Sequence, residues 1–459
     1  MYLDLNRANG RKLRLFKLKN KIWGNKNMKV DFSKRISKIK PMHAVGQPPF
    51  FGYGEKTFKY LEEANIPYSR LHDVSGGNRY VDIPNIFRNF DADENDPTSY
   101  DFAFTDWLLK CLMQVKCEPI YRLGITIENQ KHIRKFNLDP PADFGKWARV
   151  CEHIIRHYNE GWANGFYYNI QYWEIWNEPD NSNEIEKNQM WEGTQKDYFE
   201  LYTVTSKHLK ECFGDKIKIG GYSSCGFYAA IGDDVPEEAN CTPRFEYFIE
   251  FFNNFFNYIK QSKAPIDFFS WHSYASPYAT GLMADWLDKM LIKYGYDIET
   301  QLNEWNTNPN RAEKGKSVAS ATTAAMILNF QNKKTDILCY YDAQLGISVY
   351  GGLFNSETLL PNCTYYVFKA FGELYTLGSQ TFLDGLDKEL YGVAATDGSK
   401  NAIMLSNISK GSKKIDLNLD STYKVYLIDQ NHFITESNLS AKEFILDTNQ
   451  VVIIKNYYL

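Results

Sequence analysis

Two apolar stretches of this chain end in residues that could do chemistry. Residues 170–180 read IQYWEIWNEPD, an aromatic strand-like run closed by Asn177, Glu178, Pro179 and Asp180, and residues 301–305 read QLNEW, where Glu304 follows Asn303. A carboxylate at such a place must be neutralised, paired, or lie where the strand meets solvent. Two carboxyl groups brought together there could cleave a glycosidic bond, one as the acid beside the leaving oxygen and the other beneath the anomeric carbon. Glu174 shares a strand face with Glu178 by even spacing. Four residues at a rise of about 3.3 Å nevertheless separate the two by about 13 Å, whereas retaining glycosidases hold their carboxyl groups roughly 5 Å apart and inverting ones up to roughly 9.5 Å. The partner of Glu178 must come from another strand, and Glu304 is the best candidate.

The elements that would position this pair alternate in type along the chain. Strand-like segments occur at 39–46, 66–73, 118–126, 170–180, 216–223, 266–274, 298–306 and 336–344. Amphipathic stretches such as FTDWLLKCLMQV, FGKWARVCEHIIRHYNEGW, KDYFELYTVTSKHLKECF, RFEYFIEFFNNFFNYIKQS and SVASATTAAMILNFQ separate them. Eight strand-then-helix units predict a parallel (β/α)8 barrel; an open doubly wound sheet is disfavoured because no Gly-rich phosphate turn follows the first strand. From about residue 380 the pattern changes to period-two alternation, as in KIDLNLDSTYKVYLID and EFILDTNQVVIIKNY, which predicts antiparallel strands. The segment 11–24 has the same look. The expected α/β architecture is therefore a TIM barrel over 37–378 beside an antiparallel β-sandwich built from both chain ends, 1–36 and 379–459. In such a barrel the carboxyl ends of the strands face the active site, which favours Glu178, Glu304 and Asp342 over Glu118, at the start of its strand.

Composition narrows the alternatives. The 459 residues are 44% hydrophobic and 24% charged with a formal net charge of −4, and the basic residues are dispersed apart from RKLRLFKLKNK near the start, so neither disorder nor nucleic-acid binding fits. No run approaches the roughly 20 apolar residues of a membrane span, and no apolar signal region precedes a cleavage site; the expectation is a cytoplasmic protein, with homo-oligomerisation left open. Eight scattered cysteines without CxxC pairs indicate reduced thiols.

At this point the residues resemble a known family. WEIWNEPD is similar to the acid/base strand of clan A glycoside hydrolases, and RLHD at 70–73, FFSWHSY before the sixth loop and NEW on the seventh strand follow in the order of glycoside hydrolase family 39. The resemblance implies Glu178 as general acid/base, Glu304 as nucleophile, and Asn177 on the sugar 2-hydroxyl. It also implies that His72, His272 and Tyr274 line the glycone site, with Tyr274 or His272 supporting Glu304. The implied activity is that of a retaining exo-glycosidase, a β-xylosidase or close variant on plant-derived oligosaccharides, with galactose, arabinose and iduronate as other glycones. A carbohydrate-binding protein without turnover is the alternative from another class. Glu178 is expected to carry a proton at neutral pH because the nearby Glu304 charge disfavours a second one.

No cofactor or metal is expected. His153 and His157 fall at i and i+4 on a predicted outer helix but lack a third ligand. Trp107, Trp147, Trp162 and Trp173 fall in core patterns, whereas Trp176, Trp271 and Trp305 neighbour the site and could pack against sugar.

Overall fold

The computed structural model of the chain describes residues 28–50, 55–74, 81–126, 138–239, 242–307, 309–310, 312–345 and 350–458. The strand expectation at 11–24 lies outside the described residues. After β1 (Lys29–Lys38), eight strands close into a parallel barrel: β2 (Ala44–Gly46), β3 (Tyr68–Leu71), β4 (Glu118–Leu123), β5 (Tyr172–Ile175), β6 (Lys218–Ser224), β7 (Phe268–Ser273), β8 (Glu299–Trp305) and β9 (Ile337–Tyr340). Each falls within a segment whose apolar run predicts it, except that β6 runs one residue past its segment, to Ser224.

The helices of the outer ring carry sequence-encoded ends. Helix Phe144–Glu160 begins where the Asp143 carboxylate accepts from Lys146 N–H and stops at Gly161, whose φ of +74° a side chain would resist. Helix Gln195–Phe213 opens on a reciprocal Thr194–Asp197 capping box. Helix Pro277–Tyr294, between β7 and β8, was not expected from the sequence pattern, although Ser276 caps it, Pro277 opens it and Gly295 closes it.

The remaining strands are β10 (Ser379–Asp384), β11 (Leu390–Thr396), β12 (Asn401–Asn407), β13 (Lys413–Asp416), β14 (Lys424–Asp429), β15 (His432–Glu436), β16 (Glu443–Leu446) and β17 (Gln450–Lys455). They form a seven-stranded antiparallel sheet in the order β1-β10-β11-β12-β17-β14-β15 and a β13–β16 pair. β1, from the amino-terminal side of the barrel, thus edges a sheet otherwise made after it. Ile403, Leu405, Val452 and Ile454 of the sheet bury against Ile415, Phe444 and Leu446 of the pair. The other face of the sheet lies on helices Ser317–Phe330 and Cys363–Leu377, where a buried Lys455–Glu373 ion pair at 2.6 Å ties sheet to barrel.

The barrel interior is layered. Ala44, Ile120, Tyr172, Phe268, Ile337 and Cys339 make an apolar floor from the early halves of the strands. Above it, toward the carboxyl ends, the inward residues turn polar: Arg70, Glu174 and Asn303 are all buried. Buried polar groups must find partners, and Arg70 and Asn303 reach Glu174 across the barrel.

Candidate active site

The backbone after β5 is bent to present Glu178. Trp176 and Glu178 both adopt positive φ, +71° and +44°, a conformation that costs side-chain-bearing residues roughly 1–3 kcal/mol. Neighbouring strands hold it. Trp176 N–H donates to Leu123 O at 2.8 Å, and Glu178 N–H donates to Tyr222 O and Ser223 O at 3.1 and 3.2 Å. Asn188 Nδ2 donates to Pro179 O at 3.0 Å and fixes the outgoing chain.

Glu304 reaches the same space from β8. Strand pairing slips between Leu302 and Trp305 on one side and between Trp271 and His272 on the other. The irregularity lets two successive side chains, Asn303 and Glu304, bond to interior residues where strict alternation would send them to opposite faces. Asn303 Nδ2 donates to Glu174, while Glu304 accepts from Tyr274 OH and, at 3.2 Å, from Arg70 Nη1.

His272, register partner of Glu304 on β7, joins the two carboxylates. Its Nδ1 is 2.7 Å from Glu178 Oε1 and 3.7 Å from Glu304 Oε2. An oxygen of each carboxylate and a ring nitrogen of His272 all fall within 4.8 Å of one another. Asn181 Nδ2 donates to the other Glu178 oxygen at 2.9 Å.

These contacts change the expected protonation. Burial raises the Glu178 carboxyl, but the hydrogen bond and charge of His272 outweigh it and hold it below the ordinary carboxylate value. Burial lowers His272, and the Glu304 charge followed by its bond to Glu178 more than restores it, so it lies above the ordinary imidazole value. Both directions run against a protonated resting Glu178 and favour the proton on His272. The Glu304 charge acts first on the more basic group between the two carboxylates.

The other expected residues divide. Asn177, 1% exposed, accepts from Arg70 Nη2 at 2.6 Å. Its amide nitrogen has no hydrogen-bond partner among the described residues. His72 is buried with Nε2 3.3 Å from Asp73 and Nδ1 unpartnered. Burial, then the charges of Arg70, Arg122 and His272, hold its pKa well below the usual imidazole value, so it is neutral. Tyr274 stacks on Tyr350 at 4.8 Å beside Tyr341.

Trp305 does not join them. It is fully buried in the main apolar core with its ring 5.1 Å from Tyr340. Trp176 packs against Trp191 at 5.0 Å and Trp271 against Phe227 at 5.5 Å, so all three tryptophans expected near sugar are core residues. The His153–His157 pair is likewise engaged: His153 bonds Arg149 O, and His157 bonds Trp162 O and Asp106.

Three groups escaped the sequence reading. Arg70, in the RLHD landmark, sends Nε to Glu174 at 2.8 Å and Nη2 to Ser223 at 2.9 Å as well as to Asn177, so one guanidinium organises four strands. Asp180 is buried with Ser224 Oγ at 2.8 Å, and burial, then the Glu178 charge, push its carboxyl up to about 7. Tyr341, just past the end of β9, donates to Asp73 at 2.8 Å. The strand-end rule was the available signal for Arg70 and Tyr341; cross-barrel partners leave no mark in sequence spacing.

Comparisons with known proteins bear on the family and the fold. The model for "Glycosyl hydrolases family 39" matches residues 52–310. A β-xylosidase of Geobacillus stearothermophilus is 23% identical over 232 residues, 47% of this chain and 40% of that protein, and one of Caldicellulosiruptor saccharolyticus is 24% identical over 276 residues, 55% and 48% respectively. The matched part thus spans less than half the length of these relatives. Among solved structures, a glucosidase from Croceicoccus marinus superposes with a TM-score of 0.74 at 19% identity, covering 94% of this chain and 98% of that one. A family 39 β-xylosidase from Caulobacter crescentus gives 0.65 at 16% identity, covering 94% and 99%. The structural likenesses speak for the fold; the family model, which covers more than half of the chain and includes both glutamates, goes further, and on it this chain belongs to glycosyl hydrolases family 39.

Proposed function

We propose that the chain is a retaining exo-glycosidase that removes a terminal β-D-xylosyl residue from plant-derived oligosaccharides. One observation carries the mechanism: oxygens of Glu178 and Glu304 approach within 4.8 Å, near the roughly 5–5.5 Å separation of retaining pairs and short of the space an inverting enzyme needs for water. The two sequence relatives, both β-xylosidases, support the xylosyl glycone.

Glu304, held by Tyr274 and Arg70, attacks the anomeric carbon. Glu178 protonates the leaving oxygen with the proton it receives from His272 across their 2.7 Å bond. When Glu304 becomes an ester its charge disappears, and Glu178 then serves as base for the incoming water. The unpaired Asn177 amide is placed for a sugar hydroxyl, His72 for a second, and Tyr274 and Tyr350 for the ring face. The catalytic unit is 37–378, with 28–36 and 379–458, among the described residues, as its β-sandwich companion.

A panel of nitrophenyl glycosides, with NMR of the first-formed sugar, tests this reading. Turnover of the β-xyloside with a β-configured product is expected. A preference for galactoside, arabinoside or iduronide corrects the glycone alone, an inverted product removes the retaining mechanism, and no turnover by the folded protein favours carbohydrate binding.

A further inference from the structure

Away from the barrel mouth, two neighbouring outer helices bring together a carboxylate, an imidazole and a thiol. Glu152 lies on helix Phe144–Glu160, and His208 and Cys212 lie one turn apart on helix Gln195–Phe213, so the last two share a face. His208 Nε2 is 2.6 Å from Glu152 Oε2, and Cys212 Sγ is 3.8 Å from the same ring nitrogen. One donor atom from each residue falls within 4.8 Å of the other two.

From this juxtaposition we propose that Glu152, His208 and Cys212 form a binding site for a divalent ion of the zinc class, bridging the two helices. The donor set decides the metal. Thiolate and imidazole favour zinc over the hard cations magnesium and calcium, which take oxygen ligands. Zinc bonds of about 2.0 Å to nitrogen and oxygen and about 2.3 Å to sulfur require donors roughly 3.2–3.7 Å apart in a tetrahedron. The sulfur–nitrogen pair is already near that spacing, and the Glu152–His208 pair must open by about half an ångström, within reach of side-chain rotation. Arg156 Nε donates to Glu152 Oε1 at 2.7 Å, leaving Oε2 for the ion while orienting the carboxylate. All three residues are partly exposed, which gives the ion an entry path and leaves the fourth position to water. Burial, then the Glu152 charge, raise the Cys212 thiol above its ordinary value, so the thiol proton passes to solvent as the ion binds.

The test uses the intact chain with cobalt(II) and zinc(II) as probes. Cobalt should bind one to one with a thiolate-to-metal charge-transfer band that zinc displaces, and Cys212→Ser and His208→Gln should each abolish the band. Glu152→Gln should weaken binding about tenfold or more. Wild-type protein supplies a measurement free of folding effects: zinc should slow alkylation of Cys212, mapped by mass spectrometry, without lowering glycosidase turnover. An ion captured instead at the other acid-and-histidine cluster, Glu178, His272 and Glu304, where Cys225 bonds Glu178, would inhibit and would keep any band in Cys212→Ser. No thiolate band, a band surviving in Cys212→Ser, or unchanged alkylation with zinc would each overturn the proposal.

Discussion

Replacing Arg70 by methionine gives a pH signature that follows from burial. Arg70 is 1% exposed, and its guanidinium serves Glu174, Glu304, Asn177 and Ser223. Methionine of similar length leaves Glu174 buried without its guanidinium partner and Glu304 with only His272 beside it as a cationic partner among the described residues, a loss of roughly 3–5 kcal/mol at neutral pH. The deficit should then depend on pH. In the wild type, burial raises Glu174 but Arg70 overrides it, holding the carboxyl below its ordinary 4.5. The pairing therefore contributes fully above about pH 4.5 and is lost as pH falls through the folded value. Without Arg70 its charge and hydrogen bond are lost while burial and the Ser223 and Ser270 hydrogen bonds remain, so the Glu174 carboxyl rises from its wild-type position and the deficit of the variant shrinks as pH falls from 7 toward 4. Urea unfolding followed by tryptophan fluorescence between pH 4 and 8 should show the two stabilities converging on the acid side. Adding Glu174→Gln to Arg70→Met should recover part of the loss, with a coupling of roughly 0.5–3 kcal/mol. Stability curves that stay parallel across this range, or a double variant no better than Arg70→Met, would refute the argument.

Three further outcomes are expected. Glu178→Ala should keep its first chemical step on a dinitrophenyl glycoside, and azide should accelerate it to a glycosyl azide of retained configuration, whereas Glu304→Ala with azide should give the inverted azide; exchanged behaviours would reverse the two roles. Asp180→Asn should gain stability relative to wild type as pH rises from about 4 to about 7, because a carboxyl raised from 3.8 to about 7 costs progressively more to ionise in the fold; a stability difference that is flat over this range in chemical denaturation would contradict it. EDTA treatment should leave kcat/KM on a nitrophenyl glycoside unchanged, since Glu178 and Glu304 complete the chemistry without a metal; activity lost to EDTA and restored by zinc or calcium would count against that assignment.

The barrel was legible because each strand is a short apolar run ending in polar residues, and because strand ends and active sites coincide in this architecture. Glu178 and Glu304 were found by that rule, without knowledge of their contacts. The tryptophans defeated the same reasoning. Trp305 adjoins Glu304 in sequence, yet adjacency along a strand is what sends neighbouring side chains to different environments, and its indole is core. The slipped pairing that brings Asn303 and Glu304 inward together is a property of three strands at once. Helix Pro277–Tyr294 could have been read from Ser276, Pro277 and Gly295, because its ends are encoded locally even though its apolar stripe is diffuse.

His272 shows most clearly what strand-end logic omits. On the residues alone, two close carboxylates imply that one must hold a proton, and the acid beside the leaving group is the natural holder. A third titratable group between them changes the count without changing the logic. With His272 2.7 Å from Glu178 and 3.7 Å from Glu304, one proton on the imidazole satisfies both anions, whereas the same proton on Glu178 leaves only a neutral ring beside Glu304. On the proposed mechanism the imidazole would hold the proton one hydrogen bond away from the Glu178 oxygen that delivers it. Because the Glu304 charge is the largest influence raising His272, any step that consumes that charge releases the imidazole's hold on the proton. On the proposed double displacement, bond formation at Glu304 and proton delivery through Glu178 would then be coupled electrostatically.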